Sequence, residues 1–288
     1  MLAYNGEQIQ NESFCSDSYC PNPNLRLSMT LSPKLLDIFL PIATHPWGIA
    51  VLLNTVLIAP LFALPPTLLT RWGAVHAWIL GVILWGTLGW RGYLVVLVYF
   101  GVGSLVTKVG YQAKATKGIA EKRGGARGPE NVWGSAAVGA LCALGVASGD
   151  NSWTFALQMA FVGSFAAKLT DTVSSEIGKA YGRRTILLTT LQAVPPGTEG
   201  AVSLEGTLAG LVGGLGLTLV GYGVGMVPFM GIPICVGAAF LANLVESWVG
   251  ATWQGKWSWL TNEWVNGINT LVGAAVSGLG AWVLRPLI

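Results

Sequence analysis

An all-α, polytopic transmembrane bundle of about eight spans is the fold encoded here. Charge content, hydropathy and the form of the apolar runs agree on it. Only 10% of the 288 residues are charged, against about 25% in an ordinary soluble domain. Hydrophobic residues make up 52%, and mean hydropathy is +0.59. The apolar runs are continuous and rich in Leu, Ala and Gly, without the period-two alternation of a membrane β-barrel. This composition excludes a soluble globule, a disordered chain and a disulfide scaffold. The 39 glycines follow no three-residue period, so collagen is excluded too.

Residues 1–48 are a polar, flexible N-terminal tail with its approach to the membrane. The stretch NGEQIQNESFCSDSYCPNPN carries two prolines and no apolar period. It lacks the basic start and cleavage site of a secretory signal and the Arg content of a transit peptide. A spanning helix needs about 20 mostly apolar residues to cross about 30 Å of hydrocarbon. Spans are accordingly placed at 49–69, 74–90, 92–108, 132–149, 153–170, 207–227, 229–250 and 266–285, with a short turn near Arg91. Seven or nine spans are the alternatives. Residues 49–288 thus make a single membrane-embedded domain. Gly206, Gly210, Gly221 and Gly225 recur at four-residue spacing, which lets helices approach closely.

Two long polar connections, 109–131 and 171–206, interrupt the spans. Ten of the sixteen basic residues lie between Lys108 and Arg184. With eight spans, the connections at 70–73, 109–131, 171–206 and 251–265 share one side. The opposite side holds only Arg26, Lys34, Arg91 and Arg285. Basic residues prefer the cytoplasmic face, so the two long connections are expected there (or on its organellar equivalent), with both termini facing away. Cys142 and Cys235 fall in spans and read as small packing residues. Cys15 and Cys20 lack a zinc-knuckle spacing, and a disulfide between them stays open. Neither His45 nor His76 has a metal-ligand partner, and both read as interfacial or structural.

Four constellations carry chemistry. The first is Asp171-Thr172-Val173-Ser174-Ser175-Glu176-Ile177-Gly178. Asp171 and Ser175, and likewise Thr172 and Glu176, stand at i, i+4 on a helix, giving a compact oxygen-rich patch suited to Mg²⁺. Membrane carboxylates are costly and usually functional, although a helix cap would use the same residues. The second runs from Pro196 through Gly197, Thr198, Gly200, Ser203, Gly206 and Thr207 to Gly210. Glycines and hydroxyls leading into a helix N-terminus suit a phosphate, and they equally suit a turn with its cap. No Walker Gly-x-x-x-x-Gly-Lys-Ser/Thr occurs, which excludes a P-loop enzyme. The third runs from Lys114 to Asn131 and includes Lys122, Arg123 and Arg127. Alternating with Gly, these cations suit a polyphosphate or lipid phosphate, or simply anchor the loop to anionic lipid. The fourth is Asn243, Glu246 and Ser247 on one helix face, followed by Asn262, Glu263 and Asn266. Ala167-Lys-Leu-Thr-Asp171-Thr172 is similar to Ala242-Asn-Leu-Val-Glu246-Ser247, a short internal echo in which each helix presents a carboxylate and a hydroxyl.

In combination these blocks resemble a known family. Gly103-Ser104-Leu-Val-Thr107-Lys108 and Lys122-Arg123-Gly-Gly-Ala-Arg127-Gly resemble its first blocks. Asp171-Thr172-x-Ser174-Ser175-Glu176-x-Gly178 and Pro196-Gly197-Thr198-x-Gly200-Ala-Val-Ser203-x-x-Gly206-Thr207-x-Ala-Gly210 match its central signature. Asn243-x-x-Glu246-Ser247-x-x-Gly250-Ala-Thr252 and Asn262-Glu263-x-x-Asn266 are similar to its C-terminal block. The family is that of the integral membrane phytyl-phosphate kinase of the vitamin E (tocopherol) pathway, formerly a domain of unknown function. Over about residues 50–288 the block order is the same. Glu246 departs from it, since an Asp is expected there. More distantly, the pattern resembles the phytol and dolichol kinases, which use CTP.

The resemblance implies an isoprenoid-phosphate kinase that moves a phosphoryl group from a nucleoside triphosphate, CTP first, to phytyl phosphate or a related prenyl monophosphate. It implies Mg²⁺ held by Asp171, Glu176 and Glu246, and a charge-neutralising set of Lys122, Arg123 and Arg127. Phosphate and nucleotide contacts would come from Thr172, Ser174, Ser175, Gly178, Gly197, Thr198, Gly200, Ser203, Gly206, Thr207, Asn243, Ser247, Asn262 and Asn266. The implied partners are membrane lipid, the isoprenoid phosphate and a nucleotide, with no nucleic acid; oligomeric state stays open. A cyanobacterial-type or chloroplast membrane is implied, with the active-site loops on the cytoplasmic or stromal side. Two other readings remain at this stage: a CDP-lipid-type cytidylyltransferase, which would release diphosphate, and an ion-coupled transporter broken around Pro60, Pro65 and Pro66.

Overall fold

The computed structural model describes residues 44–149 and 151–284. The expected tail up to residue 43, with Cys15 and Cys20, lies outside the described residues, as does Arg285. In chain order the helices are α1 (Pro46–Ala63), α2 (Arg71–Lys108), α3 (Tyr111–Thr116), α4 (Pro129–Ala147) and α5 (Asn151–Tyr181), then α6 (Leu204–Gly223), α7 (Gly231–Thr252) and α8 (Asn262–Leu284). A two-stranded antiparallel ribbon, β1 (Thr185–Leu187) and β2 (Ala201–Ser203), pairs Ile186 with Val202 between α5 and α6. The described residues pack as one compact unit.

Helix α2 is two spans joined at Gly89, whose φ of 62° and ψ of −157° only glycine adopts readily. The amide of Thr70, capping the start of α2, donates to the Arg127 carbonyl at 3.0 Å. Near the far end, a Cβ on Gly103 would lie 2.7 Å from Nη2 of the same Arg127. A straight helix of this length would be about 57 Å long and could not reach one residue with both ends. The chain therefore reverses at Gly89, close to the turn expected at Arg91, and Trp85 meets Tyr93 across the bend with ring centroids 5.3 Å apart. Asn54 of α1 secures the hairpin: its Oδ1 accepts from Tyr93 at 2.9 Å, and its amide donates to Ala50 at 2.8 Å.

Among the described residues six helices are long and apolar enough to cross a membrane: α1, α2, α4, α6, α7 and α8. Counted as two arms, α2 raises this to seven apolar passes; α5, expected as a span, is the less apolar helix they surround. The protein is thus an all-α, multi-pass bundle. Helix α5 is the central column. Every residue from Met159 to Thr170 is buried, and α2, α4, α6, α7 and α8 all pack on it. Ringed by protein, it touches little lipid, which explains how it carries Lys168 and Asp171.

Two boundaries differ from expectation. Helix α1 ends at Ala63 rather than near 69, because the residue before Pro65 is driven out of the helical region; Leu64 is extended with ψ of 157°. Helix α5 runs past Asp171 to Tyr181, so the polar end of this span is helix rather than connection. Asp171 is therefore inside a helix and caps nothing. His45 accepts from the Trp47 amide at the start of α1, and His76 Nδ1 accepts from Trp133 at 2.8 Å, both structural roles.

Candidate active site

The four connections expected to share a side do converge at one end of the bundle. The Thr70 amide donates to the Arg127 carbonyl there, and the Arg127 amide donates to the Leu68 carbonyl. Ile119 lies over Gly197, where a Cβ would come 2.6 Å from its Cγ2, so the basic and glycine-rich connections touch. Gly200, with φ of 74°, sits so close to Ser247 and Ala251 at the end of α7 that no side chain fits between them. These loops and the ends of α2, α4, α5, α7 and α8 enclose a cavity of about 690 Å³.

Two carboxylates from different helices meet at its floor. Asp171 of α5 is ion-paired with Lys168 one turn earlier, and Lys168 also donates to Asn266 Oδ1 of α8 at 2.6 Å. Glu246 of α7 lies beside Asp171, Lys168 and Asn269. Its Oε2 is buried and finds no hydrogen-bond partner among the described residues, and neither polar atom of the buried Asn269 amide finds one. Asn243, three residues before Glu246, donates to Ser174 Oγ at 3.3 Å and so ties α7 to α5. Two carboxylates with one lysine beside them form an oxygen-donor set.

Cations occupy the wall above. Arg127 spreads over the faces of Tyr99 and Phe100, 5.4 and 5.3 Å from their centroids. Its Nη1 donates to the Tyr99 hydroxyl at 3.4 Å, and it has no carboxylate partner among the described residues, so the remaining donors of its fork can meet an anion. Arg123, half-exposed, pairs with Glu130 and donates to Asn131 at 2.8 Å. Asn131 in turn accepts from the Gly128 amide at 3.0 Å, fixing the start of α4 behind Pro129. Lys122 is exposed at the rim.

Most residues singled out from sequence line this cavity. From α5 come Asp171, Thr172, Ser174, Ser175 and Gly178; from the glycine-rich connection, Gly197, Thr198, Gly200 and Ser203; from α6, Thr207. Asn243, Glu246, Ser247, Asn262 and Asn266 join them from α7 and α8, and Lys122, Arg123 and Arg127 from the basic connection. Some of these are already engaged. Ser203 is the N-cap of α6, accepting from the Gly206 amide at 3.1 Å, and the Thr198 hydroxyl and amide both donate to Pro195.

Two do not reach the cavity. Gly206 lies against the Ser174 carbonyl and lets α6 press on α5. Glu176, expected among the metal ligands, forms a sealed ion pair with Lys114 of α3; the two side chains are 2% and 1% exposed. Lys114 also donates to the Thr107 carbonyl at 3.0 Å, and Lys179 stands 3.9 Å from Glu176. Surrounded by cations and turned from the cavity, Glu176 clamps α3 onto α5. Lys168 is a site residue that the sequence analysis did not single out; its i, i+3 placement before Asp171 is the available signal. Tyr99, Ser135 and Thr185 also line the cavity without any local signature.

Residues 54–274 match a family described as integral membrane protein DUF92, a segment that includes every site residue above. The chain belongs to the DUF92 family. A membrane protein of Synechocystis, uncharacterized by name, is 60% identical over 232 residues, 81% of this chain and 90% of the relative. The chloroplastic protein VTE6 of Arabidopsis thaliana is 43% identical over 253 residues, 86% of this chain and 75% of that protein. A Methanocaldococcus jannaschii membrane protein, also uncharacterized by name, is 34% identical over 208 residues, 72% and 83% of the two chains. No solved structure matches this DUF92 protein significantly. Among its described residues no three acidic, His or Cys side chains form a complete metal cage. Mg²⁺ does not need one, because it usually takes one or two carboxylates and fills its shell with water and substrate phosphate. Asp171 and Glu246, with the unpartnered Oε2 of Glu246, fit that pattern.

Proposed function

We propose that this DUF92 protein is an isoprenoid-phosphate kinase, transferring a phosphoryl group from a nucleoside triphosphate, CTP first, to phytyl phosphate or a related prenyl monophosphate. One observation carries the reading. At one end of an apolar bundle, Asp171, Glu246 and an arginine with no carboxylate partner among the described residues line one cavity large enough for phosphates. A prenyl chain dissolves only in the bilayer and a nucleotide only in water, so their chemistry belongs at such a boundary. The similarity to chloroplastic VTE6 and to the Synechocystis protein supports a chloroplast or cyanobacterial-type membrane. On this reading the convergent connections face the cytoplasm or stroma, as their basic residues favour.

Asp171 and Glu246 would hold Mg²⁺, which when bound offsets negative charge on the nucleotide phosphates. Arg127, with Lys122 and Arg123 at the rim, would stabilise the charge spread over the transferred group. The acceptor's own phosphate oxygen attacks the γ-phosphorus while the bond to the β,γ-bridging oxygen breaks, and the nucleoside diphosphate leaves. That nucleophile is already anionic, so positioning and electrostatics suffice and no strong base is required. The Ser247, Ser175 and Thr207 hydroxyls and the Asn262 and Asn243 amides add neutral polar contacts around the phosphates.

The test is purified protein in nanodiscs with Mg²⁺, labelled CTP and phytyl, geranylgeranyl and farnesyl monophosphates. A labelled prenyl diphosphate with release of CDP is expected. Release of inorganic diphosphate with a CDP-linked lipid would instead mark a cytidylyltransferase. No product with any nucleotide would overturn the kinase reading.

A further inference from the structure

Lys168 is placed where a cofactor cation would be expected. Its ammonium is buried and ion-paired to Asp171, bonded to Asn266 and adjacent to Glu246, yet it lies on the cavity floor. Both carboxylates that would hold a divalent ion are thus gathered around a resident single charge. Glu246 Oε2 and the Asn269 amide beside it find no hydrogen-bond partner among the described residues, so donor capacity is left over at this point. A divalent ion held by Asp171 and Glu246 would use that capacity, and it would repel the ammonium.

We propose that Lys168 is a resident counter-ion that a divalent cation displaces, and that the displaced ammonium then takes a phosphate oxygen in the cavity. Lysine suits the exchange. Its compact charge rides on a flexible four-carbon stem, so it can leave a carboxylate without moving the helix. Asn266 keeps it near the floor, and the cavity above is the polar space it can turn into. Before loading, Lys168 holds the half-buried Asp171 beside the buried Glu246. After loading, it adds a positive charge beside the transferred group. Metal binding and phosphate binding are thereby coupled: the metal releases the cation that the phosphate needs. The identity of the phosphate rests on the kinase reading, whereas the exchange between metal and lysine does not.

The experiment uses the full chain in nanodiscs with Mn²⁺ alone as probe, read by electron paramagnetic resonance in the absence of nucleotide. Removing the competing charge should tighten Mn²⁺ binding at least about tenfold in Lys168→Met and in Lys168→Gln. The Gln side chain can keep the Asn266 hydrogen bond if Met disturbs folding. Lys168→Arg, which retains the charge, should bind no tighter than the unaltered chain. Unchanged or weaker Mn²⁺ binding in both neutral variants overturns the exchange. A second arm adds either a non-hydrolysable CTP analogue or phytyl phosphate. Whichever phosphate meets Lys168 should strengthen Mn²⁺ binding in the unaltered chain and lose that effect in both neutral variants. Persistence of the effect with both compounds overturns the phosphate half. Tightening of Mn²⁺ without any phosphoryl transfer by the unaltered chain would leave the exchange standing and remove the kinase reading.

Discussion

Helix α5 contributes a carboxylate to each of two lysine–carboxylate pairs, Asp171 and Glu176 standing five residues apart, and the fates of the pairs differ. Lys168 and Asp171 sit on the cavity floor with a second carboxylate beside them, whereas Lys114 and Glu176 are sealed between α3 and α5. Chemically the pairs are alike. Their difference lies in what completes each one. Glu176 is sealed against Lys114, with Lys179 standing between it and Glu121, so its pairing is complete. Asp171 shares one lysine with Glu246, whose Oε2 finds no hydrogen-bond partner among the described residues. Burial with complete pairing makes a clamp, and burial with incomplete pairing makes a candidate site.

The comparison can be broken at several points. Asp171→Asn carries the largest expected effect: phosphoryl transfer to phytyl phosphate should fall by at least about 10²–10³-fold, the scale of losing one preorganised electrostatic group. Its thermal unfolding in detergent should change little, and full activity would remove Asp171 from the site. Glu176→Gln should behave the opposite way. Leaving Lys114 buried and unpaired costs about 3–5 kcal/mol, read as a large drop in unfolding temperature. The double variant Lys114→Met with Glu176→Leu should recover most of that loss and retain transfer. Lost Mn²⁺ binding with unchanged stability in Glu176→Gln would make the two pairs equivalent.

Smaller effects sharpen the picture. Gly210→Ala would bring a Cβ to 2.6 Å from the Thr170 carbonyl, forcing α6 away from the central helix. A loss of about 1–3 kcal/mol is expected, measurable by thermal unfolding. Arg127→Lys removes the planar fork and its stacking on Tyr99 and Phe100. It should raise the KM for the phosphate substrates roughly tenfold, a change of about 1–2 kcal/mol. The smallest effect belongs to Glu130→Gln, which breaks the half-exposed pair with Arg123. Stability should shift by less than about 1 kcal/mol, because water screens that pair.

The bundle was legible because apolar length is a direct physical requirement of crossing a bilayer. The apolar helices could be placed from hydropathy, and even the reversal at Gly89 falls within two residues of the expected turn. The site was legible in composition rather than in geometry. Asp171, Glu246, Arg127 and the glycine-rich connection announced themselves as costly or conformationally special residues. What they did not reveal was orientation. Glu176 had the same credentials as Asp171, and only the course of α5 past the expected membrane boundary, with α3 folded against it, turned it toward Lys114. Lys168 is hard to see for the complementary reason: a basic residue at a span end normally marks topology, and beyond Asp171 one turn away its neighbours Asn266 and Glu246 come from α8 and α7, far off in the chain.

The sequence by itself determined that this protein is a multi-pass helical bundle with a charged end, since composition, run length and charge asymmetry act locally along the chain. Tertiary structure alone decided which charges meet. Pairing a carboxylate on α5 with one on α7 around a shared lysine depends on helix packing and on the angle at which side chains leave each helix. Those quantities belong to the folded bundle and have no representation in any single stretch of sequence.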